Sequence, residues 1–123
     1  MGRCAVIVAG FGFRSDARVE SLASAFARAG GQADCLATAR DKAKAGVFQR
    51  FADGQRVIPV APKAIRAQTT RTQSLASLAA RGTGSLAEAA ALAAAGPGAR
   101  LLGPRVISED GCATCALAEG PDP

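Results

Sequence analysis

Apolar and polar positions change period several times along this 123-residue chain. Residues 4–9 hold the β-branched run Val6-Ile7-Val8 and end at Gly10, which predicts a buried first strand running into a glycine turn. From Asp16 to Ala29 the spacing becomes helical: Val19, Leu22, Ala23, Phe26 and Ala27 share a face, Ser15 suits the N-cap, and Gly30-Gly31 stops the helix. Residues 33–38 predict a second strand, Lys42–Ala52 a short helix, and Gln55–Val60 a third strand. Pro62 fits the first position of a helical turn through Arg66. Gln68–Thr72 is polar and β-branched, with Arg71 inside it, and reads as a mobile loop.

Gln73–Arg81 is the next helical stretch, with Leu75, Leu78 and Ala79 on one face. Gly82-Thr83-Gly84 breaks it. Ser85 then opens an alanine-rich helix to Ala95, and Glu88 three residues on completes a capping-box pattern. Residues 100–107 are strand-like, with Pro104 favouring an edge position, and Cys112–Ala118 reads as a last short strand. Strands that alternate with helices imply a three-layer α/β/α single domain with a mostly parallel sheet, mixed near its edge. The expected division is a domain over residues 1–119 and a frayed tail over 120–123.

Thirty alanines and only five phenylalanines change the picture of the core. Alanine buries little area, so helices and strands must approach closely. Val6, Ile7, Val8, Phe26, Phe48, Phe51, Val57, Ile58, Leu101 and Leu102 are then expected to supply most of the burial energy, roughly 1.5–3 kcal/mol each. Of fifteen basic residues, twelve are arginine, against ten acidic ones. Arginine is the better fork for carboxylate or phosphate. The arginines are scattered and no aromatics interleave with them, which speaks against a nucleic-acid face. No stretch is long enough to cross a bilayer and none reads as a secretory signal, so a cytoplasmic protein with reduced thiols is expected.

The chain has no histidine. That removes the commonest general base and metal ligand, and every triad built on imidazole. Cys112-x-x-Cys115 has no second such pair and reads as structural thiols, with a redox or metal role as the alternative. Neither a cofactor nor a metal site is expected, and no catalytic residue is nominated.

Two glycine-lined segments are candidate anion cradles. The first is Gly10-Phe11-Gly12-Phe13-Arg14-Ser15, where backbone amides and Arg14 would converge at a helix start. Its Gly10-x-Gly12-x-x-Ser15 pattern lacks the third glycine of a dinucleotide fingerprint, and Asp34 stands too early for the acidic partner. The second is Gly82-Thr83-Gly84-Ser85 with Glu88, where the Thr83 and Ser85 hydroxyls would donate. Lys42 follows the second strand and, in a parallel sheet, faces the same crevice as the first cradle. Plain turn-making and capping is the competing reading of both segments.

Taken in order, these stretches resemble the CobE family of cobalamin biosynthesis, which is similar to the C-terminal domain of CbiG. Gly10-Phe11-Gly12-Phe13-Arg14 is like the family's G-x-G-C/F-R start, and Lys42-Ala43 before Gly46 is like its K-A-x-E-x-G stretch, although Lys44-Ala45 stands where the acid would be. Gly82-Thr83-Gly84-Ser85-Leu86-Ala87-Glu88-Ala89-Ala90-Ala91-Leu92 looks like its G-x-x-S-V-A-E-A-A-A-L, and Thr114-Cys115-Ala116-Leu117-Ala118 like its T-x-A-I-A strand. The resemblance implies a role in making the corrin ring by the oxygen-dependent route. The ligand would be a carboxylate-fringed corrin intermediate, hydrogenobyrinic acid or an earlier precorrin, bound or carried by the candidates above. Two alternatives follow from it. One is hydrolysis of a precorrin lactone, with Asp16, Asp41 or Glu88 activating water and the amides of Gly10–Arg14 holding an oxyanion. The other is docking on another enzyme of the pathway.

Overall fold

The computed structural model describes residues 6–120; Cys4, the first residues of the expected first strand and positions 121–123 of the expected tail lie outside them. Six strands form one sheet: β1 (Val6–Phe13), β2 (Cys35–Ala39), β3 (Val57–Val60), β4 (Arg100–Leu101), β5 (Val106–Ile107) and β6 (Ala113–Gly120). The order is β3-β2-β1-β6-β4, with β5 also paired to β6. The pairs β1–β2 and β2–β3 are parallel. β6 runs antiparallel to β1, β4 and β5. The antiparallel half therefore reaches the middle of the sheet, further in than the expected edge.

Helices cover both faces. On one side lie α1 (Val19–Ala29) and α3 (Gly46–Ala52). On the other lies α6 (Leu86–Ala95), with α4 (Pro62–Arg66) against it and α5 (Leu75–Arg81) beyond α4. A short α2 (Arg40–Ala43) follows β2 directly, so the helix expected over Lys42–Ala52 is split in two. The faces differ in kind because the side chains of β1 alternate. Ala9, Phe11 and Phe13 join the cluster that holds Phe26, Phe48 and Phe51, so all five phenylalanines sit on the α1/α3 side. Phe13 stacks on Phe48 at 5.7 Å between centroids. The opposite face of β1 carries Val8, Gly10 and Gly12 and receives α6.

That face explains the two glycines, and it corrects the expected loop over residues 10–15. Gly10 and Gly12 lie inside a strand paired with β6 along its whole length, from Val6↔Gly120 to Phe13↔Ala113. Neither has positive φ. A Cβ on Gly10 would overlap Ala87 O and Ala91 N, and one on Gly120 would overlap Ala95 O. α6 thus lies backbone to backbone on the sheet, and its residues Leu86–Ala91 are all buried. This is the close approach that the alanine content requires.

Other expectations are corrected in detail. Ser15 is exposed, and α1 starts later, at Val19; Ser21 Oγ accepts from Arg18 N at 3.1 Å from within the first turn. Leu75 and Leu78 do not pack inward but are 84% and 41% exposed. Leu102 is also exposed, whereas Phe11, Leu22, Leu36 and Ile65 are fully buried members of the core. Residues 100–107 form two short strands, with Gly103-Pro104-Arg105 between them.

Candidate functional site

The carboxyl ends of the three parallel strands and the start of antiparallel β6 meet at one end of the sheet, and a cleft of about 410 Å³ opens there. Its floor comes from Gly12, Phe13, Ala113 and Thr114. One wall is the N-terminal residue of α6, Leu86, and another is α5 with Ser74, Ser77, Ala80 and Arg81. Arg14, Lys42, Arg105 and Cys112 complete the rim. The volume lies within the usual range for ligand pockets, about 300–1,000 Å³.

The local fold places each cation. Beyond Gly10↔Ala37 the β1–β2 ladder opens, and side chains from the β2 end take its place. Thr38 Oγ1 donates to Phe11 O at 2.8 Å, and Lys42 Nζ donates to Phe13 O at 2.5 Å. The Lys42 ammonium also sits 4.5 Å over the Phe13 ring. Burial lowers the Lys42 pKa and the nearby Arg81 charge lowers it further, against the opposing pull of Asp41. Arg14 reaches into solvent and pairs with Asp16 at 3.3 Å. Arg81 forks both oxygens of Asp41 at 2.7 Å. Four cationic side chains thus line the opening, and none of the residues lining it is acidic.

Glu88 behaves differently from its sequence reading. Its side chain is fully buried and is not among the residues lining the cleft. Ser85 Oγ accepts from Glu88 N at 3.2 Å, but the Glu88 carboxylate does not return to Ser85 as a capping box would. It accepts instead from Arg71 N at 2.6 Å, Thr72 N at 3.0 Å, Thr72 Oγ1 at 2.6 Å and Arg105 N at 2.8 Å. Burial raises its pKa, yet the hydrogen bonds from Thr72, Arg105 and Arg71 outweigh that and hold it below the usual value. The expected mobile loop over Gln68–Thr72 is therefore tied to α6 through a buried anion, as is the backbone that presents Arg105.

Of the sequence candidates, Gly12, Phe13, Arg14 and Lys42 come together in the cleft. Gly10 and Phe11 are interior, Ser15 lies exposed outside it, and Gly82, Thr83, Gly84 and Ser85 stand behind the wall. Gly82 takes the left-handed conformation that ends α5, with φ of 69°. Gly84 has no space for a Cβ beside Thr72 O. The Thr83 hydroxyl is buried without a partner among the described residues. The sequence reading missed Arg81 and Arg105. Each adjoins a glycine break, Arg81 before Gly82 and Arg105 after Gly103-Pro104, which is the signal that could have found them.

Residues 7–118 match the profile of a protein family described as the cobalamin synthesis G C-terminus. The chain belongs to that family. The solved structure of CobE, a protein from the cobalamin biosynthetic pathway, is similar with a TM-score of 0.81 and 26% identity, covering 100% of this chain and 97% of that one. The cobalamin biosynthesis protein ChiG from Agrobacterium tumefaciens is similar with a TM-score of 0.71 and 37% identity, over 95% of this chain and 100% of that one. No curated protein gives a significant match. Family membership makes this a cobalamin-biosynthesis protein, and the cleft is the place where its sequence candidates and its unforeseen arginines converge. Among the described residues no helix is long and apolar enough to cross a membrane.

Proposed function

We propose that the cleft binds a corrin intermediate, hydrogenobyrinic acid or an earlier precorrin, by its peripheral carboxylates. In this reading the protein holds the macrocycle for the oxygen-dependent route, in the cytoplasm, and passes it to another enzyme of the pathway. The observation that carries the reading is the set of four cations, Arg14, Lys42, Arg81 and Arg105, around an apolar floor with no acid among the lining residues. Guanidinium forks match carboxylates at the ring's edge, and Phe13, Leu86, Ala80 and Ala113 offer apolar surface to the ring itself. Gly12, Phe13, Arg14 and Lys42 would touch the ligand. Gly10, Phe11, Gly82, Thr83, Gly84, Ser85 and Glu88 would shape the walls.

Hydrolysis of a precorrin lactone is less well served. Asp16 engages Arg14, Asp41 engages Arg81, and Glu88 already accepts four hydrogen bonds. The Arg14 amide, part of the suggested oxyanion site, donates to Cys112 O at 2.9 Å. Titration of hydrogenobyrinic acid with the purified protein, followed by the macrocycle's visible spectrum, tests the binding reading. Saturable spectral change at micromolar protein, lost in an Arg14→Ala/Lys42→Ala double variant, is expected. An unchanged spectrum and no co-elution would sink it.

A further inference from the structure

We propose that Asp41 is a built-in competitor: it occupies the Arg81 guanidinium in the empty cleft and is displaced when a ligand carboxylate arrives. The inference rests on the corrin-binding reading and adds to it an exchange step at Arg81. Arg81 lines the cleft and Asp41 does not. The Arg81 side chain is 23% exposed, whereas that of Asp41 is 63% exposed. The fork therefore belongs to the site, and its present partner reaches in from solvent at the start of α2. Both guanidinium nitrogens meet both carboxylate oxygens at 2.7 Å, the geometry a ligand carboxylate would reproduce.

Two further features favour exchange over a permanent strut. Lys42, next to Asp41 in sequence, donates to a backbone oxygen and forms no ion pair with a described residue, while it feels the Arg81 charge. A ligand carboxylate entering between these cations relieves their repulsion, which Asp41 outside the cleft does only in part. Asp41 itself is restored to water on release, so displacement exposes no buried charge. Leu75 and Leu78 on α5 face solvent, so a small shift of Arg81 toward a new partner breaks no buried contact of those two side chains.

A strut and a competitor predict opposite signs. If Asp41 only braces α5, Asp41→Asn loosens the wall and weakens binding. If Asp41 competes, Asp41→Asn frees the fork and tightens binding of hydrogenobyrinic acid by about two- to fivefold at low salt, the range of an exposed ion pair. The gain should shrink as salt screens the pair. It should also vanish in an Arg81→Ala background, which by itself weakens binding. Equal or weaker binding by Asp41→Asn, with the wild-type protein still binding, overturns the competitor and leaves the corrin reading standing. Absence of binding by the wild type and every variant overturns both. Circular dichroism of each variant excludes loss of fold, which a surface change at position 41 does not threaten.

Discussion

A methyl group at position 10 has nowhere to go, because Ala87 O and Ala91 N already fill the space. Gly10→Ala must therefore lift α6 off the sheet, and a loss of about 1–3 kcal/mol is expected from overpacking. Equilibrium urea unfolding measures it. Glu88→Gln keeps the shape but turns an amide NH₂ toward groups that are themselves donors. A loss of about 1–3 kcal/mol is expected, with faster hydrogen exchange at Arg71, Thr72 and Arg105. Because the folded pKa of Glu88 is depressed, its contribution is complete above its unfolded pKa, about 4.3, and fades as pH falls below that. Asp110 follows the same rule. Hydrogen bonds from Ser108 and Ser21, and then from the Cys112 amide, hold it at about 2. Its stabilising effect is present above about pH 4 and is lost as pH drops toward 2. An Asp110→Asn variant should show a flatter acid limb in stability against pH, and an unchanged limb would refute the assignment.

At the scale of elements, α5 is the part whose burial the helical period alone misjudges. Leu75, Leu78 and Ala79 share a face, yet that face looks outward, because Glu88 and the tight Gly84 crossing fix how residues 72 and 73 lead into α5. Leu75→Ser should change stability by less than about 0.5 kcal/mol, which thermal unfolding can check. β6 gives the complementary case. Cys115 sits within β6, whereas Cys112 lies in the bend just before it, where its amide donates to Asp110 Oδ1 at 3.0 Å. Cys115 is fully buried, and burial pushes its thiol up to about 12, whereas Cys112 lies at the cleft rim. Native thiol labelling read peptide by peptide should modify Cys112 quickly, and Cys115 only after unfolding. The helix over 86–95 was legible from Ser85 and its alanine run. The partner of Glu88 was not, because four hydrogen-bond donors from residues 71, 72 and 105 meet it only after the chain has folded.

For the molecule as a whole, charge and architecture combine at one sheet end. The net charge of +5 is modest, but four cations and no acids line the cleft between β1, β6, α5 and α6. Affinity for hydrogenobyrinic acid should therefore fall as ionic strength rises, while a neutral ester of the same macrocycle should show little salt dependence. Similar salt dependence for both would remove the electrostatic basis of the site.

The order of strands and helices, the existence of a first strand, the alanine-rich close packing and the placement of Lys42 at the Arg14 end of the sheet were all readable in the chain. They depend on local period and on the rule that parallel strands share their carboxyl ends. Only the tertiary structure decided that Gly10 serves a helix crossing and that Gly12 lies in the strand beside Thr114, neither making a turn. It alone decided that Glu88 faces inward, and that Arg81 and Arg105 join Arg14 and Lys42. Those outcomes depend on which distant segments come within a few ångströms of one another, and spacing along the chain does not encode that distance.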